Sequence, residues 1–324
     1  MPIRISLLGL GRLGGSLAAA LSPRENLMVA GFDDNPDISR LAQSRGLLKR
    51  VEWTLPNAVD GADLVLLTHP LVEQRETLSI IAPHLRADSV VASLAALLGP
   101  PLEWAQELLP AGRHFVACHP ALNPAYLFGG EAGLDAARAD LFAQGVWALA
   151  PAPACAPEAL KLLSDLATLL GSTPYFIDPA EHDGVMGGAD ALPTLLAWAL
   201  MRAAHSSAPG WQEMRRLADR DFATAAAALA DPAALAYNPE STLRYLDAAL
   251  AELKGLRELI ASGNAISLDN ALAEAQTLRD NWLAERARGE WDTPKQTVDI
   301  PNTADSLGRF FVGNLVKGRG EKKD

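Results

Sequence analysis

A glycine-rich turn near the amino terminus constrains the fold of this chain more than any other feature. The apolar run Ile3–Leu8 is followed at once by Gly9, Gly11 and Gly14, and a helical pattern continues to Leu21. In a strand–turn–helix unit the first glycine permits the tight turn, the second lets the backbone approach a pyrophosphate, and the third allows helix to pack on strand. The helix amino terminus offers free N–H groups to the phosphates. The sequence therefore predicts a Rossmann domain that binds a dinucleotide.

The end of the second predicted strand indicates which dinucleotide is bound. Leu27–Phe32 is followed by Asp33 and Asp34, about 20 residues beyond the glycines, where a carboxylate accepts hydrogen bonds from the adenosine ribose. Two carboxylates repel a 2′-phosphate, so we expect NAD and regard NADP as less favoured, although Arg12 in the loop would tolerate the phosphate. The expected cofactor-binding residues are Gly9, Leu10, Gly11, Arg12, Leu13, Gly14, Asp33, Thr68, His69 and Pro70.

Two patterns divide the chain. Up to about residue 150, short apolar runs alternate with amphipathic segments, which indicates parallel βαβ units, and a proline-rich segment follows. From Glu158 onward the patterns are long and helical. We predict an α/β protein with an N-terminal Rossmann domain, a doubly wound parallel sheet, in residues 1–152. An all-helical domain for substrate and dimerisation follows in 153–290, and an extended C-terminal arm and tail in 291–324. Thr173–Pro179 is either an edge strand or a linker.

The predicted elements can be given residue bounds. The strands are Ile3–Leu8, Leu27–Phe32, Ala62–Thr68, Ser89–Ser93, Phe115–Cys118 and Val146–Ala150. The helices of the second domain are Glu158–Leu170, Leu192–Ala204, Trp211–Leu229, Ser241–Ser262 and Ser267–Arg288.

Charge and composition narrow the classes of partner. There are 28 basic and 39 acidic residues, a net charge of −11, so we expect a small-molecule partner and neither nucleic acid nor a membrane. Cys118 and Cys155 are too few for a disulfide framework and lack the spacing of a zinc site, so we expect no metal. No uninterrupted apolar run reaches the roughly 18 residues that span a bilayer. These features predict a soluble, cytoplasmic protein.

Four motifs between residues 8 and 183 point to a family, and the resemblance covers about residues 3 to 285. They are the glycine turn with the residues up to Leu17, Cys118–Asn123, Ala139–Phe142 and Asp178–Asp183. Together they resemble the prephenate/arogenate dehydrogenases, in which the second motif reads His-Pro-Met-x-Gly and the fourth contains Glu-His-Asp. The resemblance implies a Rossmann domain joined to a helical dimerisation domain, a homodimer, and oxidative decarboxylation to a tyrosine precursor.

His119 is the candidate catalytic base. It occupies the position of the histidine in the family's His-Pro motif, which takes the proton of the substrate's ring hydroxyl as hydride leaves for the nicotinamide. The chemistry of the residues agrees, because a histidine that ends a Rossmann strand and is held extended by Pro120 is suited to general-base work. The alternative is a strand-end histidine that only bonds a backbone carbonyl.

The family's substrate-binding positions are substituted. The serine that steadies the catalytic histidine is Ala96, the lysine after it is Leu98, and both histidines of Ser-His-Leu-Pro-His are lost at Ala191 and Thr194. The carboxylate-binding arginine falls near Ala225–Ala228, so other arginines of the helical domain must replace it or lie on a solvated helix face. The candidate substrate residues are Ser93, Asn123, His182, Asp190, Arg202 and Arg216.

Asp190 replaces a serine of the family and adds negative charge, which favours a neutral or aminated substrate. The leading hypothesis is an NAD-dependent dehydrogenase of the prephenate/arogenate type. One alternative is a dehydrogenase or imine reductase that acts on another small hydroxy acid or imine. The other is a non-catalytic dinucleotide-binding sensor, against which the presence of His119 argues.

Overall fold

The computed structural model describes residues 2–128, 132–206, 210–228 and 232–289. The chain forms two compact units. The first contains the residues up to His69 together with Glu73–Ile177, and the second contains Pro70–Val72 and the helices from Asp178 onward. The predicted arm and tail at 291–324 lie outside the described residues.

The first unit is built on one sheet of eight strands in the order β3-β2-β1-β4-β5-β6-β7-β8. Each strand is parallel to its neighbours except at the antiparallel pair β6–β7. The predicted Rossmann fold is confirmed. The strands are β1 Ile3–Leu8, β2 Leu27–Phe32, β3 Arg50–Val51, β4 Leu64–Leu67, β5 Val90–Leu94, β6 His114–Ala121, β7 Val146–Pro151 and β8 Thr173–Phe176.

Helices cover this sheet and bury its apolar side chains. β4 and β5 are buried along their whole length, as expected of central parallel strands. Leu7, Leu66 and Trp147 are among the fully buried side chains of the core. The helices are α1 Arg12–Leu21, α2 Pro36–Ser44, α3 Leu55–Val59, α4 Leu71–Ile81, α5 Gly99–Leu108 and α6 Pro157–Leu169.

The predicted boundary between the two domains, at 152/153, is too early. α6 contacts β6, β7 and β8, and β8 pairs with β7, so both elements belong to the sheet-bearing unit, which ends at Ile177. Residues 152–156 of the proline-rich segment are therefore a loop inside this unit, between β7 and α6. Thr173–Phe176 is an edge strand rather than a linker.

The described part of the second unit from Asp178 onward is helical, as predicted. The one helix predicted over Trp211–Leu229 is wrong, because the helix stops at Leu217 and a new one starts at Arg220, after the extended residue Asp219. The helices are α7 Pro179–Met186, α8 Leu192–Ser206, α9 Trp211–Leu217, α10 Arg220–Ala226, α11 Pro239–Ser262 and α12 Ala265–Arg288.

A π-helical turn, Gly187–Ala191, joins α7 to α8. A side chain on Gly187 would lie 2.4 Å from Ser241 Oγ, so the glycine lets α11 cross very closely. The continuous segment Pro179–His205 is long and apolar enough to cross a membrane by length and composition alone. It contains Glu181, Asp183 and Arg202, and a core helix passes the same test.

Candidate active site

The glycine turn has the geometry of a phosphate-binding loop. Gly9 has φ +98°, which favours glycine, and a Cβ on Gly14 would lie 1.9 Å from the Gly9 carbonyl oxygen. A Cβ on Gly11 would meet nothing within 4 Å. The first and third glycines are therefore required by the protein's own packing, whereas the space beside Gly11 is open to a ligand. This cradle fits a pyrophosphate at the start of α1.

Asp33 holds the same loop in place. The Leu10 N–H donates to Asp33 Oδ2 at 2.7 Å, and the Asn35 N–H donates to Oδ1 at 3.0 Å. The carboxylate is half-buried, and each oxygen retains a lone pair for a further donor. Asp33 can thus accept ribose hydroxyls, as the sequence predicts, while also fixing the backbone beside the phosphate cradle.

Of the other predicted cofactor residues, Thr68 and His69 contact the glycine turn. Thr68 Oγ1 donates to the Gly9 carbonyl at 2.6 Å, and the backbone of His69 packs against Gly9. Arg12 Nη2 donates to the Tyr126 carbonyl at 3.5 Å, which draws this side chain towards the segment after β6. Leu13 packs on the core, and Pro70 is exposed.

Strand register places His119 at the same edge of the sheet as the glycine turn. Leu8, Leu67, Ser93 and Ala117 form one row across β1, β4, β5 and β6. His119 stands two residues beyond that row on a parallel strand, at the carboxyl ends where open α/β sheets bind ligands. Three strand spacings, about 14 Å in all, separate β1, which the glycine turn follows, from β6. The half-buried His119 therefore lies within the span of a dinucleotide bound at the turn.

Two predicted substrate residues of the first unit are held by hydrogen bonds within the protein. Ser93 is fully buried and donates its hydroxyl to Gln74 Oε1 at 2.6 Å. The Asn123 side chain accepts from the Ala125 N–H and donates to the Asp140 carbonyl, both at 3.0 Å, so it caps a turn. The roles of Ser93 and Asn123 towards a substrate stay predictions.

The candidates in the second unit differ in exposure. His182 is buried with Nδ1 2.9 Å from Asp183 Oδ1. Asp190 lies in the π-helical turn, and burial raises the pKa of its carboxyl. Arg202 is exposed and stacks over Trp198 at 5.1 Å, and Arg216 is exposed on α9, so both arginines fit the solvated-face alternative. Among the described residues no group of three or more His, Cys, Asp and Glu side chains could hold a metal.

Sequence reasoning missed Gln74. Leu71, Leu78 and Ile81 form the buried face of α4, and Gln74 stands at a position of that face where an apolar residue is expected. It is fully buried and donates Nε2 to the His69 carbonyl at 2.9 Å. A polar residue inside an apolar helix stripe was the signal that could have found it.

Known proteins that are similar to this chain include dehydrogenases, which agrees with a dinucleotide site at the glycine turn. The family model described as "Prephenate dehydrogenase, nucleotide-binding domain" matches residues 17–174. The cyclohexadienyl dehydrogenase of Zymomonas mobilis is 26% identical over 283 residues, which are 85% of this chain and 94% of that protein. The chain is thus similar to the prephenate/arogenate dehydrogenases at modest identity. It is accordingly an oxidoreductase with a nucleotide-binding domain.

Solved structures of the family share the fold over most of this chain. Synechocystis arogenate dehydrogenase is 25% identical, with a TM-score of 0.65 over 86% of this chain and all of that one. Prephenate dehydrogenase from Aquifex aeolicus, solved with hydroxyphenyl propionate and NAD⁺, is 22% identical, with a TM-score of 0.68 over 87% of this chain and 98% of that one. The segment matched by the family model starts at Leu17, so the glycine turn is assigned from its own geometry.

Proposed function

We propose that this protein is a cytoplasmic, NAD-dependent dehydrogenase that oxidatively decarboxylates a cyclohexadienol of the prephenate/arogenate type in tyrosine biosynthesis. The observation that carries the proposal is the position of His119 at the sheet edge that also holds the glycine cradle. The NAD⁺ complex of the Aquifex aeolicus relative supports the choice of cofactor.

The proposed reaction needs a cofactor site and a general base, and the first unit offers residues for both. Bound NAD⁺ supplies the acceptor for the hydride that leaves the carbinol carbon of the ring. The loop around Gly11 binds the pyrophosphate, and Asp33 orients the adenosine ribose. His119 takes the proton of the ring hydroxyl as the carbinol becomes a carbonyl. Loss of CO₂ from the ring carbon para to the new carbonyl sends its electron pair through the dienone to the carbonyl oxygen. Protonation of that oxygen gives the aromatic phenol, so atoms and electrons balance.

Turnover of the purified protein tests this function. We expect NADH absorbance at 340 nm to rise when NAD⁺ is supplied with prephenate or arogenate. Asp190, a half-buried carboxylate, favours the aminated substrate over the dianionic one. A protein that binds NAD⁺ but reduces none of it with either compound, or with a panel of small hydroxy acids, would contradict the proposal. The substitutions at Ala96, Leu98 and Thr194 would then favour a dinucleotide-binding sensor.

Cofactor choice gives a prediction for Asp33. We expect NAD⁺ to bind more tightly than NADP⁺, because Asp33 and Asp34 repel a 2′-phosphate. Replacing Asp33 by alanine should weaken NAD⁺ binding by about 1–3 kcal/mol, since it removes the ribose acceptor and the bond from the Leu10 N–H. Calorimetric titration with both cofactors measures this. Asp60→Ala, which removes an exposed carboxylate from the same unit, is the control. Tighter binding of NADP⁺ to the wild type would refute the assignment.

We propose a homodimer formed through the helical domain. On α11 the exposed side chains of Leu243, Leu250, Leu253 and Ile260 recur at intervals of three and seven residues, which places them on one stripe. α12 also exposes large apolar side chains, among them Trp282. Stripes of this size on a soluble protein mark association surfaces.

Charge placed on the α11 stripe should separate the subunits. Burial of a leucine or isoleucine is worth roughly 1.5–3 kcal/mol, so Leu253→Glu with Ile260→Glu should weaken association by at least about 100-fold. Light scattering at micromolar concentration should show a dimer for the wild type and a monomer for the double variant. Glu252→Lys alters charge on the opposite side of the same helix and should stay dimeric. A monomeric wild type would refute the proposal.

A further inference from the structure

A chain of buried polar side chains ends at His69. Ser93 Oγ donates to Gln74 Oε1 at 2.6 Å, and Gln74 Nε2 donates to the His69 carbonyl at 2.9 Å. Ser93 and Gln74 are both fully buried. A buried amide without partners is costly, and these two bonds satisfy one oxygen and one nitrogen position of Gln74. The pair therefore fixes the peptide that carries His69.

A separate hydrogen bond holds the imidazole of His69. The partner in that bond decides which ring nitrogen carries the hydrogen. Nδ1 lies 3.0 Å from the Leu8 carbonyl oxygen. A carbonyl only accepts, so Nδ1 carries the hydrogen and the neutral ring has its lone pair on Nε2. That Nε2 is buried and has no hydrogen-bond partner among the residues that the structure describes. A buried acceptor in this state is unfavourable until a donor reaches it.

Strand order indicates where that donor lies. Asp33 follows β2, the glycine turn follows β1, and His69 follows β4, which is the order of these strands in the sheet. A Cβ on Gly9 would lie 2.8 Å from the His69 backbone nitrogen, so His69 adjoins the turn itself. A dinucleotide with its adenosine ribose at Asp33 and its pyrophosphate at the turn extends its second ribose towards β4.

We propose that His69 Nε2 accepts a hydrogen bond from a hydroxyl of the nicotinamide-side ribose, and that Gln74 and Ser93 are positioning residues that hold His69 for it. This inference rests on the proposed binding of NAD by the first unit. Pyrophosphate carries no donor at neutral pH, and the adenosine ribose is assigned to Asp33, which leaves the second ribose as the hydroxyl-bearing group on the β4 side.

Truncated ligands and a matched pair of histidine variants test the inference. His69→Asn keeps an amide near the Nδ1 position and removes Nε2, whereas His84→Asn makes the same change at an exposed site in the same unit. By calorimetry His69→Asn should weaken NAD⁺ and ADP-ribose about tenfold, the value of one lost hydrogen bond, and leave AMP unchanged because AMP lacks the second ribose. His84→Asn should match the wild type with all three ligands.

The outcomes separate this inference from the proposed function. A wild type that binds none of the three ligands refutes NAD binding altogether. Normal NAD⁺ affinity in His69→Asn overturns only the role of Nε2, and equal weakening of AMP overturns its assignment to the second ribose.

Gln74→Met keeps the volume of the side chain while it releases the His69 carbonyl. We expect about threefold weaker ADP-ribose binding and unchanged AMP binding, in a protein whose circular dichroism matches the wild type. Unchanged ADP-ribose affinity would overturn the positioning role, and His69→Asn then still tests Nε2 directly.

If His69→Asn fails to fold, His69→Gln, whose amide reaches the Nε2 position, should bind ADP-ribose within threefold of the wild type, and a tenfold loss would overturn the proposal.

Discussion

Replacing His119 by asparagine should lower turnover by about 10²–10⁴-fold and leave NAD⁺ affinity nearly unchanged. Asparagine retains polarity and approximate volume at the end of β6 but cannot take the proton of the ring hydroxyl. Slower NADH formation with normal calorimetric binding of NAD⁺ would therefore separate chemistry from cofactor binding. With Ala96 in place of the serine that steadies this histidine in the family, wild-type turnover of prephenate should itself be slow.

His114 supplies the matched control for this experiment. It lies at the opposite end of the same strand, where its Nδ1 accepts the Ala156 N–H at 3.3 Å. His114→Asn should keep the wild-type rate constant for turnover. If His119→Asn turns over as fast as the wild type, the base lies elsewhere, and His182 is the next side chain to replace.

Two alanine substitutions in the glycine turn should differ in their effects on the stability of the fold. Gly14→Ala places a methyl group 1.9 Å from the Gly9 carbonyl oxygen, so the backbone must move, and we expect a loss of about 3 kcal/mol or more in the free energy of unfolding. For a unit of this size that lowers the Tm by about 10 °C. Gly11→Ala meets nothing within 4 Å and has φ −70°, so its Tm should equal or exceed that of the wild type.

Cofactor affinity distinguishes the second variant from the wild type. The methyl group of Gly11→Ala occupies the open space in which we propose the pyrophosphate lies, so NAD⁺ binding should weaken by more than about tenfold. Thermal unfolding and calorimetric titration of both variants measure the two effects. Unchanged NAD⁺ affinity in Gly11→Ala would contradict the assignment of the phosphate cradle to this turn.

The sequence predicted the elements that follow from local pattern. β1 and β2 have the predicted bounds, because an apolar run that ends in a glycine or aspartate turn is unambiguous. The two-residue strand β3 was missed since it is too short to show periodicity. The sequence could not decide whether Thr173–Phe176 joins the sheet, because that depends on its pairing with β7. The helix break before Arg220 was missed because no glycine or proline marks it.

The candidate site, like the fold, could be predicted from the sequence only where it depends on local pattern. The roles of Gly9 and Gly14 follow from a motif whose mechanism is backbone geometry, and the structure shows the predicted close contacts. The hydrogen bonds of Ser93 and Asn123 could not be predicted from the sequence, because their partners, Gln74 and Asp140, come from distant segments. The bond from the Leu10 N–H to Asp33 joins residues 23 apart and was invisible to spacing.

The antiparallel strand β7 has a consequence for the way the proposed base could evolve. His119 lies beyond the residues of β6 that pair with β5, yet it remains in the ladder because it pairs with Ala148 of β7. Ordering the backbone of one residue costs roughly 1–2 kcal/mol in conformational entropy. The pairing with β7 orders His119 during folding, so substrate binding does not have to order it. A change of substrate need not reorder this histidine, so selection can alter specificity through other side chains while the proposed proton transfer at His119 persists.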